Sequence, residues 1–230
     1  MGLTIQLVAA AVASTETGNS DSSAKVQTGD IKASTLSISA IPVCFDFGCK
    51  RRDSVDMPLS QWADIGELFI PKAPTPAQER DQIAKAIGAM ESLIGLHTPT
   101  HKDLAFGLPK DDNIDHLFPG QLDCIDEAIN TTTYLRLFEQ SGFLSHHKVI
   151  EQAYRRSMFT QHWAGQIQEI TSGKSWAVDS WFRPNGHAAI IQESTAWKDL
   201  SLIRHLRNRA QMRKQNPEQR GFWKRLFDRD

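Results

Sequence analysis

Three side chains in this sequence could together do covalent chemistry: the thiol of Cys124, the imidazole of His162 and the carboxylate of Asp179. A thiol that gives its proton to an imidazole attacks amides and esters, and a carboxylate can orient that imidazole. Cys124 opens a segment, residues 123–140, in which Cys124, Ala128, Thr132 and Leu135 recur at helical spacing. Unpaired N–H groups and the helix dipole favour an anion there. Such a position can lower a thiol pKa from about 8.5 into the ~3.5–7.5 range. Asp123, Asp126 and Glu127 oppose that trend, so a thiolate needs a cationic histidine beside it. The competing reading is a buried structural cysteine, a common role for this residue.

The histidine and the carboxylate lie on segments that read as a hairpin. Residues 161–170 and 175–182 are the two strands, around the turn chemistry of Thr171-Ser172-Gly173-Lys174. Alternate residues of a strand share a face. A two-residue loop would leave His162 and Asp179 two rungs apart; with a connection of about six residues, 169–174, Asp179 falls opposite Ala164 and diagonal to His162, within about 7–8 Å. Both side chains then leave one face, expected to be turned toward the start of the Cys124 helix. A third strand is expected over residues 187–192, after the turn at Pro184-Asn185-Gly186.

The run Gln121-Leu122-Asp123-Cys124-Ile125-Asp126-Glu127-Ala128, then His162-Trp163, then Trp176-Ala177-Val178-Asp179, resembles the bacterial transglutaminase-like cysteine peptidases of the papain-like superfamily. The resemblance covers residues 115–190. It implies an α+β fold, with a papain-like or transglutaminase-like core in which a nucleophile helix packs on an antiparallel sheet. It implies acyl transfer or amide hydrolysis on a protein or peptide substrate, with Cys124 attacking, His162 moving the proton and Asp179 orienting the ring. It calls for no cofactor and no metal. Gln121 would add a side-chain donor to an oxyanion hole begun by the backbone N–H of Cys124. Trp163 and Trp181 would wall the cleft. Two other readings stand beside it: a papain-like module kept for binding without turnover, and a protein that docks through its C-terminal tail.

The remaining elements must position these groups. Residues 75–95 read as a helix with Thr75 and Gln78 as a capping box and Pro76 at the first turn. Ile83, Ala86, Ile87, Met90 and Ile94 form its buried stripe. Residues 59–70 read as a short helix or turn carrying Trp62 and Ile65, and residues 97–120 as a long loop. The domain is expected over 41–200. Residues 14–40, rich in Ser, Thr, Ala and Gly, read as a disordered linker.

The chain has 230 residues, a formal net charge of -1 and 40% hydrophobic residues, ordinary values for one globular domain with appendages. This balance predicts no nucleic-acid partner. The charge is uneven, because residues 201–230 carry nine Lys or Arg and three acids. With Phe222, Trp223 and Phe227, that basic tail could meet an anionic membrane surface or a partner protein. Residues 1–13 form an apolar run ending in Ala11-Val12-Ala13, which resembles a signal segment without its basic start. Export is expected if the run acts as a signal, and a cytoplasmic location otherwise. Cys44 and Cys49 are close enough to pair, leaving Cys124 free, as an exported cysteine enzyme would require.

Overall fold

The structure, a computed structural model, describes residues 37–106, 119–156 and 161–199. The signal-like run 1–13, most of the linker, residues 107–118 of the long loop and the basic tail 201–230 lie outside the described residues.

A hairpin opens the described chain: β1 (Ser37–Phe45) pairs antiparallel with β2 (Arg51–Pro58). Ile41, Val43 and Phe45 alternate inward and meet Val55 and Met57 in the main core. This hairpin corrects two expectations. Residues 37–40 belong to β1 rather than to a linker, and β2, too polar outside Val55 and Met57 to be recognised, pairs with β1 along its length.

Two helices follow, α1 (Leu59–Glu67) and α2 (Pro76–Gly95). Half of the expected capping box of α2 forms: Thr75 Oγ1 accepts from the Gln78 N–H at 3.3 Å, while the Gln78 side chain accepts from the Thr75 hydroxyl instead of its backbone N–H. All five residues of the predicted stripe are fully buried. A short 3-10 turn (Pro99–Lys102) leads toward α3 (Cys124–Gln140). Beneath α1, Trp62, Phe69, Phe138 and Phe143 stack with ring centroids 5.2–6.4 Å apart.

The second half forms an antiparallel sheet: β3 (His147–Val149), β4 (Ala153–Arg156), β5 (Gln161–Glu169), β6 (Ser175–Asp179) and β7 (Ile190–Glu193). β3 and β4 share one edge of β5, while β6 and then β7 continue from the other. β6 stops at Asp179, three residues earlier than expected, because the chain turns at Arg183, whose N–H donates to Ser180 O. α4 (Ser194–Lys198) ends the described chain. The architecture is α+β, with α2 and α3 on one face of the sheet. No helix among the described residues is long and apolar enough to cross a membrane.

A buried carboxylate ties the layers together. Glu79 of α2 accepts from the backbone N–H groups of Ser145, His146 and His147 and from His147 Nδ1, at 2.7–3.0 Å. Burial alone would raise its pKa, yet these donors outweigh that and hold it below the usual carboxylate value. A carboxylate accepting several N–H bonds is stabilised in its charged form.

Candidate active site

The pairing of β5 with β6 runs from Gln168 opposite Ser175 to Gly165 opposite Val178. The connection is therefore the six residues 169–174, and one further rung sets Asp179 level with Ala164. His162 lies diagonal to it, as the strand pattern predicts. His162 Nε2 and Asp179 Oδ2 are 2.7 Å apart, and both side chains are buried. Aromatic rings enclose the imidazole: Trp181, Phe182 and Trp197 have centroids 4.9, 5.2 and 5.5 Å from it. Trp181 thus stands beside the pair, as expected, whereas Trp163 packs against Tyr154 at 4.4 Å.

The layers on either side of the sheet identify the face. Ala164 and Ala177 cluster with Ala153 and with Trp197 of α4, whereas Ile167 and Val178 join Leu135 of α3 in the main core. Side chains alternate along a strand, so His162 and Asp179 leave the sheet on the α4 side. The sheet separates them from the flank of α3.

The thiol instead approaches past the end of β6. Ser180, the first residue beyond that strand, donates to Glu127 Oε2 at 2.5 Å and lies 3.0 Å from the Thr131 hydroxyl of α3. Cys124 is one turn before Glu127, past the last rung of β6, where β5 has lost that neighbour. There the backbone N–H of Trp163 donates to the Cys124 sulfur. Trp163 follows His162 directly, so chain adjacency brings the partly exposed thiol to the imidazole's strand.

Cys124 is held from the side of the first hairpin. Its helix begins with a reciprocal cap: Asp123 Oδ1 accepts from Ile125 and Asp126 N–H at 2.9 and 3.0 Å, and Asp126 accepts from Asp123 N–H. Cys44 and Cys49 are disulfide-bonded, with Cα atoms 4.6 Å apart, which leaves Cys124 the free cysteine. The loop they close carries Asp46, Phe47 and Cys49 at positive φ. That conformation turns the Phe47 and Cys49 N–H groups onto the Asp126 carboxylate, at 2.8 and 2.5 Å. Asn130 brackets the backbone of Cys44, accepting at 2.8 Å and donating at 2.9 Å.

The thiol is pushed up to about 11. Burial is the main cause; the Trp163 N–H works against it, and the charges of Asp123 and Asp179 add to it. The lowering expected at a helix start therefore does not occur. The reason is local: burial of the sulfur outweighs the backbone N–H groups that reach it, and the charge of Asp123 in the same turn adds to the burial.

Gln121 is buried, and its carboxamide is engaged elsewhere. Nε2 donates to Lys102 O at 2.7 Å and Oε1 accepts from Leu104 N–H at 3.2 Å. It braces the strand-like approach to α3 against the chain that follows the 3-10 turn.

Sequence reasoning missed two residues of the site. Arg155 sits directly across from His162 in the β4–β5 register. Its guanidinium carbon lies 4.3 Å from the centre of the Trp197 ring, and Nη1 donates to Trp197 O at 2.6 Å. Trp197 in turn donates from Nε1 to Asp179 Oδ2 at 2.8 Å. The β-period of Ala153 and Arg155 could have flagged the first; no pattern in residues 194–198 points to the second. Among the described residues, no group of three or more His, Cys, Asp or Glu could hold a metal ion. Comparison with family models, with curated proteins and with solved structures returns no match.

Proposed function

We propose that this protein is a cysteine-dependent acyl-transfer enzyme or amidase acting on protein or peptide substrates, on a papain-like, transglutaminase-like core. The observation that carries the reading is the buried His162–Asp179 pair on the strand whose next N–H holds the Cys124 sulfur. With Nε2 donating to Asp179, Nδ1 is the ring nitrogen left to take the thiol proton. Attack by sulfur on the carbonyl carbon forms the C–S bond, and the backbone N–H of Cys124 faces the developing oxyanion. The imidazolium returns its proton to the leaving amine as the C–N bond breaks. Water or an amine then releases the acyl group, and the identity of that acceptor decides between hydrolysis and transamidation.

The raised thiol sets the form of this chemistry. The resting enzyme carries a thiol rather than a thiolate, so His162 acts as a general base during attack. The same observation favours the rival reading, a papain-like module that binds without turnover. A peptide p-nitrophenyl ester, which acylates the sulfur only through carbonyl attack, followed by mass mapping, separates them. Modification confined to Cys124 and lost in His162→Ala supports the enzyme; indifference to His162 supports the binding module. The disulfide supports an exported protein, since such bonds persist in oxidising compartments.

A further inference from the structure

Asp179 accepts two hydrogen bonds on one oxygen, Oδ2: from His162 at 2.7 Å and from the Trp197 indole at 2.8 Å. Its other oxygen, Oδ1, is buried with no partner in the structure. A carboxylate held only by the imidazole could rotate about its Cβ–Cγ bond and offer either oxygen. The indole restricts that freedom, because it fixes the plane of the carboxylate in which one oxygen meets both donors. Trp197 is 1% exposed, so the indole N–H is shielded from bulk solvent.

The indole is fixed in turn. Arg155 reaches across from β4, bonds the Trp197 carbonyl at 2.6 Å and stacks its guanidinium on the ring. α4 has no side-chain cap of its own, so this contact fastens a helix of five residues to the sheet. Arg155 is also the cross-strand partner of His162, which places clamp and dyad on the same face.

We infer that Trp197 is a positioning residue of the proposed acyl transfer: clamped by Arg155, its indole N–H fixes the Asp179 carboxylate that orients His162. This inference rests on the acyl-transfer reading. Trp197 also packs its ring against the His162 imidazole, with centroids 5.5 Å apart, a contact separate from the N–H bond to Asp179.

The test uses the full chain and p-nitrophenyl acetate as acyl donor, with Cys124→Ser as the background. Trp197→Phe keeps a ring and deletes the N–H. Its expected effect is a fall in kcat of about tenfold with KM held within about twofold, the pattern of a lost transition-state contribution. In protein labelled with 15N-histidine, the His162 Nε2–H resonance should move or exchange away. Arg155→Met should do both to a lesser degree, and it carries the test if the Trp197 variant fails to fold. Unchanged kcat with an unmoved resonance overturns the inference. So does a fall in kcat with an unmoved resonance, which marks general loosening. If the unaltered protein acylates no faster than Cys124→Ser, the acyl-transfer reading itself falls and takes the role of Trp197 with it.

Discussion

Gly165 of β5 lies directly under Thr131 of α3: a Cβ placed on the glycine would come within 2.8 Å of the Thr131 methyl and 3.2 Å of a Leu135 methyl. That close approach sets the height of the Cys124 helix above the strand that carries His162. Gly165→Ala must either lift α3 or force Thr131 and Leu135 from their rotamers. Overpacking of this kind costs about 1–3 kcal/mol. Urea denaturation should show that loss. Acylation of Cys124 should fall as well, because the thiol meets β5 at Trp163, only two residues from Gly165. A variant as stable as the parent would show that the helix does not bear on the strand at this point.

The raised thiol predicts a particular pH behaviour. Iodoacetamide reads the resting thiolate, so labelling of Cys124 should be slow at pH 7 and climb steadily through pH 9–10, in keeping with a value of about 11. Acylation by an ester should proceed nearer neutrality, because His162 takes the proton during attack. His162→Ala should slow that acylation by roughly 10²–10⁴-fold, the usual span for a general base, and leave the alkylation profile almost unmoved. A labelling plateau near pH 7 would instead indicate a standing thiolate–imidazolium pair.

The sequence made the dyad legible because a hairpin is a local structure. The turn residues 171–174 and the two-residue period fix which side chains share a face, and the bond between His162 and Asp179 follows. Which layer covers that face was not legible. It depends on packing between distant segments, and the glycine that admits α3 is distinguished only by the residue it meets 34 positions away in sequence. The thiol's environment failed for a related reason. Helix position alone argues for an anion, but burial of the sulfur, which only the folded surroundings supply, outweighs it, with the charge of Asp123 adding. Trp197 was invisible because its contacts with Arg155 and Asp179 join residues 42 and 18 positions apart in the chain.

Removal of the disulfide should loosen the start of α3. The bridge closes a loop of sequence separation 5, and the chain-entropy model assigns so short a loop about 2 kcal/mol. Cys44→Ser with Cys49→Ser should therefore lower stability by about that amount in urea titration. The effect should reach further than the loop. Phe47 and Cys49 hold Asp126, so amide hydrogen exchange at residues 124–127 should quicken in the double variant while α2 keeps its protection. Equal exchange at α3 would separate the loop from the nucleophile helix.

Buried carboxylates near the same helix should make the fold more stable in mild acid than at pH 8. Burial is the main cause that raises Glu127 from 4.5 to about 7, with Asp179, Asp126 and Asp123 adding to it against the Ser180 hydroxyl. Asp126 rises from 3.8 to about 7, again chiefly by burial, with Asp123 adding. Both folded-state values lie above the unfolded ones, so the folded protein binds more protons through this window. Their stabilising contribution is complete below about pH 4 and is lost as pH rises through about 7, each proton counting for about 1.4 kcal/mol per pH unit. Glu79 has the opposite sign: its lowered value protects the fold above the ordinary carboxylate range and fails only as pH drops through it. Thermal midpoints should therefore fall between pH 5 and pH 8. Glu127→Gln keeps an acceptor for Ser180 and deletes one titration, so it should flatten part of that slope and raise the midpoint at pH 8. A slope unchanged in Glu127→Gln would assign the pH dependence to other groups.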